Sequence, residues 1–194
     1  MRVPTTLPTL ETDRLILRPF GPDDVADIFA YAADPEVARY VPWEAHRNEA
    51  DSRGFLESVL ERVRLGKPDT WAVVERASGR VIGSIRFGEY HPVHARASVG
   101  YVLGRPYWNR GLTTEAVRAV LRFGFEVVEL NRIYAVCHVE NVASERVMQK
   151  VGMSYEGTLR EVALVKGGFE DRKLYAILRK EWEAKQAAQG HPGG

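Results

Sequence analysis

Residues 100–116 read GYVLGRPYWNRGLTTEA, and they join two predicted elements. The first letters close a predicted strand over 95–103, and the side chains over 112–128 repeat at helical spacing. The next apolar run, 133–139, predicts a buried strand. Because a helix then connects one strand to the next, the two strands are expected to pair in parallel through a crossover.

The other predicted elements surround this central unit. Strands are predicted over 14–18, 70–75, 80–90, 155–165 and 169–178, and helices over 22–33, 47–65 and 143–151. Short turns join several neighbouring strands, which favours antiparallel pairing. The predicted fold class is therefore α+β (mixed α/β). It has a mostly antiparallel sheet of about seven strands with one parallel pair, flanked by about four helices.

The composition and net charge of the chain limit the classes of protein to which it can belong. The 194 residues are 45% hydrophobic and 27% charged, which is typical of a globular domain. We expect a single domain over 1–183 and a disordered Gly/Pro-rich tail over 184–194. The net charge of +1 gives no reason to expect a polyanion-binding surface, so nucleic acid is not an expected partner.

Other classes of protein are disfavoured by what the sequence lacks. Its apolar stretches are far shorter than the roughly 20 residues of a membrane helix, and the first residues do not resemble a secretory signal. The chain has one cysteine, Cys137, and its five histidines show no H-x-x-x-H spacing, so no metal site is expected. We predict a cytoplasmic location and no membrane partner.

The turn before the 112–128 helix has the features of an anion site. A helix N-terminus presents unpaired N–H groups and a positive dipole end, Gly111 permits close approach, and Arg110 adds a cation. These signals also fit an ordinary helix start capped by Thr113 or Thr114. The segment has neither the G-x-G-x-x-G nor the P-loop pattern.

The same segment resembles the P-x-Y-W-G-K-G-Y-A-T-E-A block of the GNAT superfamily of acetyltransferases. The closest likeness is to the branch of ribosomal-protein N-terminal acetyltransferases, RimJ and RimL. Other matching motifs follow in the same order along nearly the whole chain: Leu10–Leu15, Asn141–Ser144, Val151–Met153, Glu156–Arg160 and Leu174–Ala176. This resemblance implies an N-acetyltransferase that takes its acetyl group from acetyl-CoA.

The resemblance also implies which residues hold acetyl-CoA. The strands matching 98–103 and 132–139 splay apart in the family, and the pantetheine arm lies between them. Backbone groups near Val102 and Leu103 would pair with that arm, as in strand addition. The implied acetyl-CoA-binding residues are Tyr101, Val102, Leu103, Asn109, Arg110, Gly111, Leu112, Thr113, Thr114, Asn141 and Ser144.

Catalysis of acetyl transfer to an amine needs a proton donor for the thiolate and a route for the amine proton. By resemblance, Ser144 lies near the sulfur and donates, with Tyr155 as a rival acid. An ordinary alternative makes Asn141 a helix cap and Ser144 an exposed first-turn residue. For the base, Glu89 is the first candidate.

Two further carboxylates, Glu156 and Glu161, are alternatives to Glu89 as the base. Some relatives have a glutamate at the position of Ala163, and its absence here favours a water relay.

The acceptor side is expected to involve the segment 40–46, with Trp43 and Glu44, and the 166–169 hairpin. Three functions stay open: acetylation of a protein N-terminal amine, acetylation of a small amine such as a polyamine, amino acid or antibiotic, and non-catalytic acyl-CoA sensing. Members of the branch are often dimers, so a homodimer is a further expectation, although no segment marks an interface.

Overall fold

The computed structural model describes residues 6–189, within which the chain forms one eight-stranded sheet and six α-helices. The strands are β1 (Leu10–Glu11), β2 (Leu15–Pro19), β3 (Thr70–Glu75), β4 (Val81–His91), β5 (Arg96–Leu103), β6 (Arg132–His138), β7 (Ser154–Val165) and β8 (Gly168–Leu178). The helices are α1 (Val25–Ala32), α2 (Pro35–Ala38), α3 (Glu49–Arg64), α4 (Leu112–Arg122), α5 (Val142–Lys150) and α6 (Arg179–Gln189).

The sheet order is β1-β2-β3-β4-β5-β6-β8-β7, and every neighbouring pair is antiparallel except β5 and β6, which are parallel. The predicted α+β class with one parallel pair is confirmed. The eighth strand is β1, a two-residue strand in which Leu10 pairs with Leu17. It is too short to give a period-2 pattern in the sequence.

Each face of the sheet covers its own hydrophobic cluster. Along β3, Trp71 and Val73 belong to the cluster under α4 and α5, whereas Ala72 and Val74 belong to the cluster under α1 and α3. Successive residues of a strand point to opposite faces, so one strand supplies both cores. Each fully buried valine or leucine contributes about 1.5–3 kcal/mol to folding.

Two helices of the structure were not predicted. At α2, the Asp34 carboxylate accepts a hydrogen bond from the Glu36 N–H, and Pro35 occupies the first turn. Pro35 therefore starts a helix here as well as ending the previous one. At α6, the Trp182 ring stacks on Phe125 with centroids 5.4 Å apart, which anchors a mostly polar helix to the larger core.

The prediction of a disordered tail over 184–194 is wrong for its first part. Helix α6 continues to Gln189, because Lys, Ala and Gln are good helix formers and Trp182 fixes its first turn. Residues 190–194 lie outside the described residues.

Helix α4 also differs from the predicted 112–128 helix, since its α-helical part ends at Arg122 and Phe123–Val127 form a π-helical turn.

The pairing of β5 with β6 stops early. Three pairs join them, Arg96 with Arg132, Ala97 with Ile133 and Ser98 with Tyr134. Beyond Ser98, β5 stays paired with β4, and β6 stays paired with β8, but the two strands no longer pair with each other. We call the space between them the gap, and its closed end at Ser98 and Tyr134 the apex.

Gly83 holds the outer end of β5 against β4. A Cβ at Gly83 would lie 2.2 Å from the Val102 carbonyl oxygen and 2.8 Å from the Leu103 Cα. We expect Gly83→Ala to lower the free energy of unfolding by about 1–3 kcal/mol, because backbone atoms must move. Guanidinium denaturation measures this change.

Gly54 is the matched control for that substitution. It lies within α3, and a Cβ there would meet nothing within 4 Å. Gly54→Ala should raise the free energy of unfolding by up to about 1 kcal/mol through helix propensity. A Gly83→Ala protein as stable as Gly54→Ala would contradict the close packing of β4 on β5.

Candidate active site

A cleft of about 870 Å³ opens over the apex and part of the gap. Phe55 and Val102, both of which pack against the cluster under α1 and α3, lie in its lining. The cleft is therefore on the sheet face that carries those helices. Its walls come from α3, the segment after α2 and β7, and its floor from β4, β5 and β6.

The two segments predicted to contact the acceptor lie together at this cleft. The Lys166 ammonium donates to the Ala38 carbonyl at 2.8 Å and lies 3.8 Å from the Glu44 carboxylate. The β7–β8 hairpin is thereby fixed to the segment after α2. Trp43 lines the cleft, as predicted for a side chain near the acceptor, whereas Glu44 borders a smaller depression beside it.

Alternation along β5 decides which backbone groups face the gap. The Gly104 N–H donates to the Ile82 carbonyl on β4, and Val102 pairs with Ser84. In an antiparallel ladder every second residue bonds to the same neighbour, so the Val102 amide faces β4. The backbone of Tyr101 and the Leu103 N–H therefore face the gap, whereas the Val102 backbone, which was expected to face it, faces β4.

The Leu103 carbonyl has an internal partner. The Trp108 indole N–H donates to it at 2.7 Å, which folds the turn after β5 back on the strand end. Trp108 therefore shapes the outer end of the gap, a role that the sequence did not indicate.

The turn before α4 leaves the first N–H groups of the helix free of side-chain caps from the described residues. Asn109 and Gly111 have φ angles of +59° and +77°, which bend the chain so that α4 begins at Leu112. The predicted capping alternative for Thr113 and Thr114 is thus not seen. This turn lies outside the cleft lining, at the outer end of the gap.

Arg110, the predicted cation of this turn, is held by two neighbours. Its guanidinium lies 2.9 Å from the Glu75 carboxylate and stacks over the Tyr107 ring. Half of the side chain is still exposed, so the cation remains accessible. The Arg110 carbonyl accepts a hydrogen bond from Arg14, which ties the turn to the residue just before β2.

Across the gap, β5 contacts the start of α5. The Tyr101 hydroxyl lies 2.9 Å from the Ser144 Oγ and 3.2 Å from the Ser144 carbonyl. Burial raises the pKa of Tyr101, so the phenol stays protonated at neutral pH. The Asn141 side chain accepts from the Ser144 N–H at 3.0 Å and caps α5. Asn141 and Ser144 both line the cleft.

At the apex, the Tyr134 hydroxyl donates a hydrogen bond to the Glu89 carboxylate. Glu89 sits at an irregularity in β4, between Gly88 and His91, with a φ angle of +45°. This bulge turns the side chain into the cleft. Burial, together with the hydrogen bond and charge of Glu89, raises the pKa of Tyr134 to about 12. Sequence reasoning missed Tyr134, because it lies within an apolar run.

The structure does not bring Tyr155 to the cleft. Its hydroxyl bonds with Thr158 at 2.8 Å and its ring packs on Tyr175, at the edge strand β7. Register shifts in β7 change the alternation that would have aimed it inward. The alternative carboxylates Glu156 and Glu161 are also outside the cleft lining, whereas Ala163 is in it.

The structure also bears on metals and membranes. Among residues 6–189, no group of three or more His, Cys, Asp or Glu residues is placed to hold a metal ion. No helix in the same range has both the length and the apolar character needed to span a membrane.

Comparison with known proteins gives the family. Residues 14–154 match the family described as acetyltransferase (GNAT) domain. The chain belongs to the GNAT acetyltransferase family. It is an N-acetyltransferase-type enzyme with the mixed α/β fold of that family.

Individual GNAT relatives cover nearly the whole chain. YnaD of Bacillus subtilis (strain 168), named an uncharacterized N-acetyltransferase, is 33% identical over 89% of this chain and 98% of its own. A crystal structure of a GNAT-family acetyltransferase from Bacillus anthracis is 31% identical, with a TM-score of 0.80, over 89% of this chain and 99% of its own. Spermidine N(1)-acetyltransferase of Escherichia coli (strain K12) is 25% identical over 90% and 91% of the two chains.

The pairing of Glu89 with Tyr134 can be tested by titration. Glu89→Gln removes a charged acceptor, so the pKa of Tyr134 should fall from about 12 towards the ordinary value near 10. Ultraviolet absorbance of the phenolate, taken as the difference from the matching Tyr134→Phe protein, isolates this group. The same pKa in both backgrounds would refute the contact.

The raised pKa also has a consequence for stability. The folded state binds the Tyr134 proton more tightly than the unfolded chain does. The contribution of the protonated Tyr134 to the free energy of unfolding is therefore fully present below about pH 10 and is lost as the pH rises to about 12.

Proposed function

We propose that this GNAT enzyme transfers the acetyl group of acetyl-CoA to a primary amine bound in the cleft. One observation carries the proposal: a gap between β5 and β6 whose free backbone edge runs to the uncapped N-terminus of α4. An extended arm with amide groups fits the edge, and a pyrophosphate fits the helix end.

The residues present suit acetyl-CoA. Tyr101 and Leu103 offer backbone groups to the pantetheine amides. The N–H groups from Asn109 to Thr114 offer donors to the pyrophosphate, and Arg110 adds a half-exposed cation. When bound, acetyl-CoA supplies the activated acetyl group. Leu112 is fully buried and helps through its backbone and its packing only.

Ser144 is the proposed proton donor to the departing thiolate. Its hydroxyl lies at the gap and receives support from Tyr101 at 2.9 Å. A serine hydroxyl has no acidity of its own near neutral pH, so a second hydroxyl in contact helps to replace its proton. Asn141 fixes the turn that aims Ser144 into the gap.

Glu89 is the proposed acceptor of the amine proton. It lies at the apex, in the cleft, and its carboxylate is already held by the Tyr134 hydroxyl. The hydrogen bond leaves one carboxylate oxygen for the amine or for a water molecule beside it. Because Ala163 supplies no second carboxylate, the proton leaves through Glu89, directly or by one water.

The acceptor enters between the segment after α2 and the β7–β8 hairpin. Trp43 and the Lys166 contact border this entrance. A protein N-terminal amine fits it, since an extended chain can leave through the open side, in keeping with the RimJ and RimL likeness. Small amines are the alternative, and the spermidine relative represents them. A homodimer and a cytoplasmic location complete the proposal.

The test is acetyl-CoA-dependent release of free CoA across a panel of peptides and small amines. Acetylated product, identified by mass spectrometry, is expected for at least one class of amine. Tight acetyl-CoA binding without release with any acceptor would overturn the proposal and favour a sensor.

Ser144→Ala tests the proton donor. Turnover should fall by about a hundredfold, because general acid catalysis is lost, while the acetyl-CoA dissociation constant changes little. Tyr101→Phe should give a smaller loss by removing the supporting hydroxyl. Stopped assays of CoA release and calorimetric binding separate the two effects.

Ser154→Ala, at the start of β7 and outside the cleft lining, serves as the control for that pair. It should match the parent enzyme in both assays. Unchanged turnover in Ser144→Ala would remove Ser144 from the mechanism.

A further inference from the structure

Two arginines in the cleft lining share one carboxylate. Arg62 on α3 donates through Nε to one Asp69 oxygen at 2.9 Å, and Arg86 on β4 donates through Nε to the other at 2.8 Å. Thr70 also donates to Asp69, at 2.7 Å. Each guanidinium is therefore held by its inner nitrogen, which leaves terminal N–H groups for another partner. Both arginines line the cleft.

This cluster of Arg62, Asp69 and Arg86 reaches the apex. A Cβ at Gly88 would lie 3.2 Å from the Arg86 Nε and 3.4 Å from the Ser98 Oγ. The Arg86 side chain thus crosses over Gly88 towards Ser98, the last β5 residue that pairs with β6. A guanidinium stands beside the place where the acceptor amine would meet the acetyl group.

The charges of the cluster do not cancel. Two guanidiniums face one carboxylate, so the cluster carries one excess positive charge. Asp69 is largely buried, with 13% of its side chain exposed, whereas Arg86 is 58% exposed towards the cleft.

The rest of the lining does not neutralise this charge. Arg132 is paired with Glu156, and Arg172 is paired with Glu170. Within the described residues Arg96 makes no ion pair, and Glu89 is the acidic residue of the lining. The wall that faces an incoming acceptor is therefore cationic.

We propose that Arg62 and Arg86 form an anion subsite for the acceptor, so that the preferred substrate is an amine carrying a nearby carboxylate or phosphate. This inference rests on the proposed function for the identity of the reaction. A planar guanidinium with free terminal N–H groups binds both oxyanions through paired hydrogen bonds. A polycation such as spermidine would meet like charges at the same wall and be disfavoured.

Matched acceptors test the subsite. The α-amide of aspartate against that of asparagine, and the α-amide of O-phosphoserine against that of serine, differ in one anionic group and carry no α-carboxylate. Peptides with Asp or Asn at the second position and an amidated C-terminus differ in the same way. For the parent enzyme we expect kcat/KM at least about tenfold higher for one or more acidic members, with spermidine the poorest acceptor. Equal values within every pair, or a preference for spermidine, would overturn the subsite.

Binding is measured separately from turnover, by calorimetric titration of the same amines into the protein with CoA present. Acidic amines should bind at least about tenfold more tightly than their neutral partners. If they do so while no amine releases CoA, the subsite stands and the proposed acetyl transfer fails. If binding shows no preference while CoA is released, the subsite fails and the acetyl transfer stands.

Substitutions then locate the preference. Arg86→Gln should reduce the ratio of acidic to neutral affinity by about tenfold, and Arg62→Gln should reduce it in the same direction. Arg64→Gln is the matched control on α3, since Arg64 pairs with Glu61 and lies outside the cleft lining. Its ratio should equal that of the parent.

Thermal unfolding and acetyl-CoA binding confirm that each arginine variant is folded. If Arg86→Gln does not fold, Arg62→Gln reports in its place. A parent-like ratio in every folded variant of this pair would refute the assignment.

Discussion

The site depends on an interruption in the hydrogen bonding between the neighbouring strands β5 and β6. Buried backbone groups need partners, and β5 and β6 each keep one full ladder on their outer sides, with β4 and β8. On their inner sides, pairing ends at Ser98 and Tyr134. The backbone groups left open beyond that point are what a ligand with amide groups can satisfy. Because two intact ladders hold the strands apart, the gap is part of the fold and does not require the ligand to form it.

The two ends of the gap are built by different forces. At the outer end, Trp108 and Gly111 turn the chain so that the dipole of α4 points at it. Midway, the hydroxyl contact of Tyr101 with Ser144 joins β5 to α5 across the opening. At the apex, Glu89 and Tyr134 meet on the opposite sheet face. In the proposed function, the donor therefore approaches from the α4 side and the acceptor from the α3 side, and acetyl transfer takes place where both can reach.

The sequence predicted those parts of the site whose contacts join residues close together in the chain. The turn before α4 and the Asn141 cap involve residues close in the chain, so spacing and residue type suffice. The contacts of Glu89 with Tyr134, and of Arg62 and Arg86 with Asp69, depend on strand order and on a bulge that no local pattern encodes. Tyr155 was misplaced for the same reason. A short register shift in β7 decides the direction of the Tyr155 side chain. Helix α6 was not predicted because a single ring, that of Trp182, anchors it in place of a stripe of apolar side chains.

Charge placement around the apex links binding to reactivity. An amine attacks only when it is neutral, and a guanidinium within a few ångströms lowers the pKa of an ammonium. A cationic wall therefore favours the reactive form of the acceptor but opposes its entry as a cation. An anionic group on the acceptor offsets that repulsion by engaging Arg86 and Arg62, while Glu89 stays available for the proton. In the proposed site, different side chains therefore bind the anionic group and accept the proton of the amine: Arg62 and Arg86 the first, Glu89 the second.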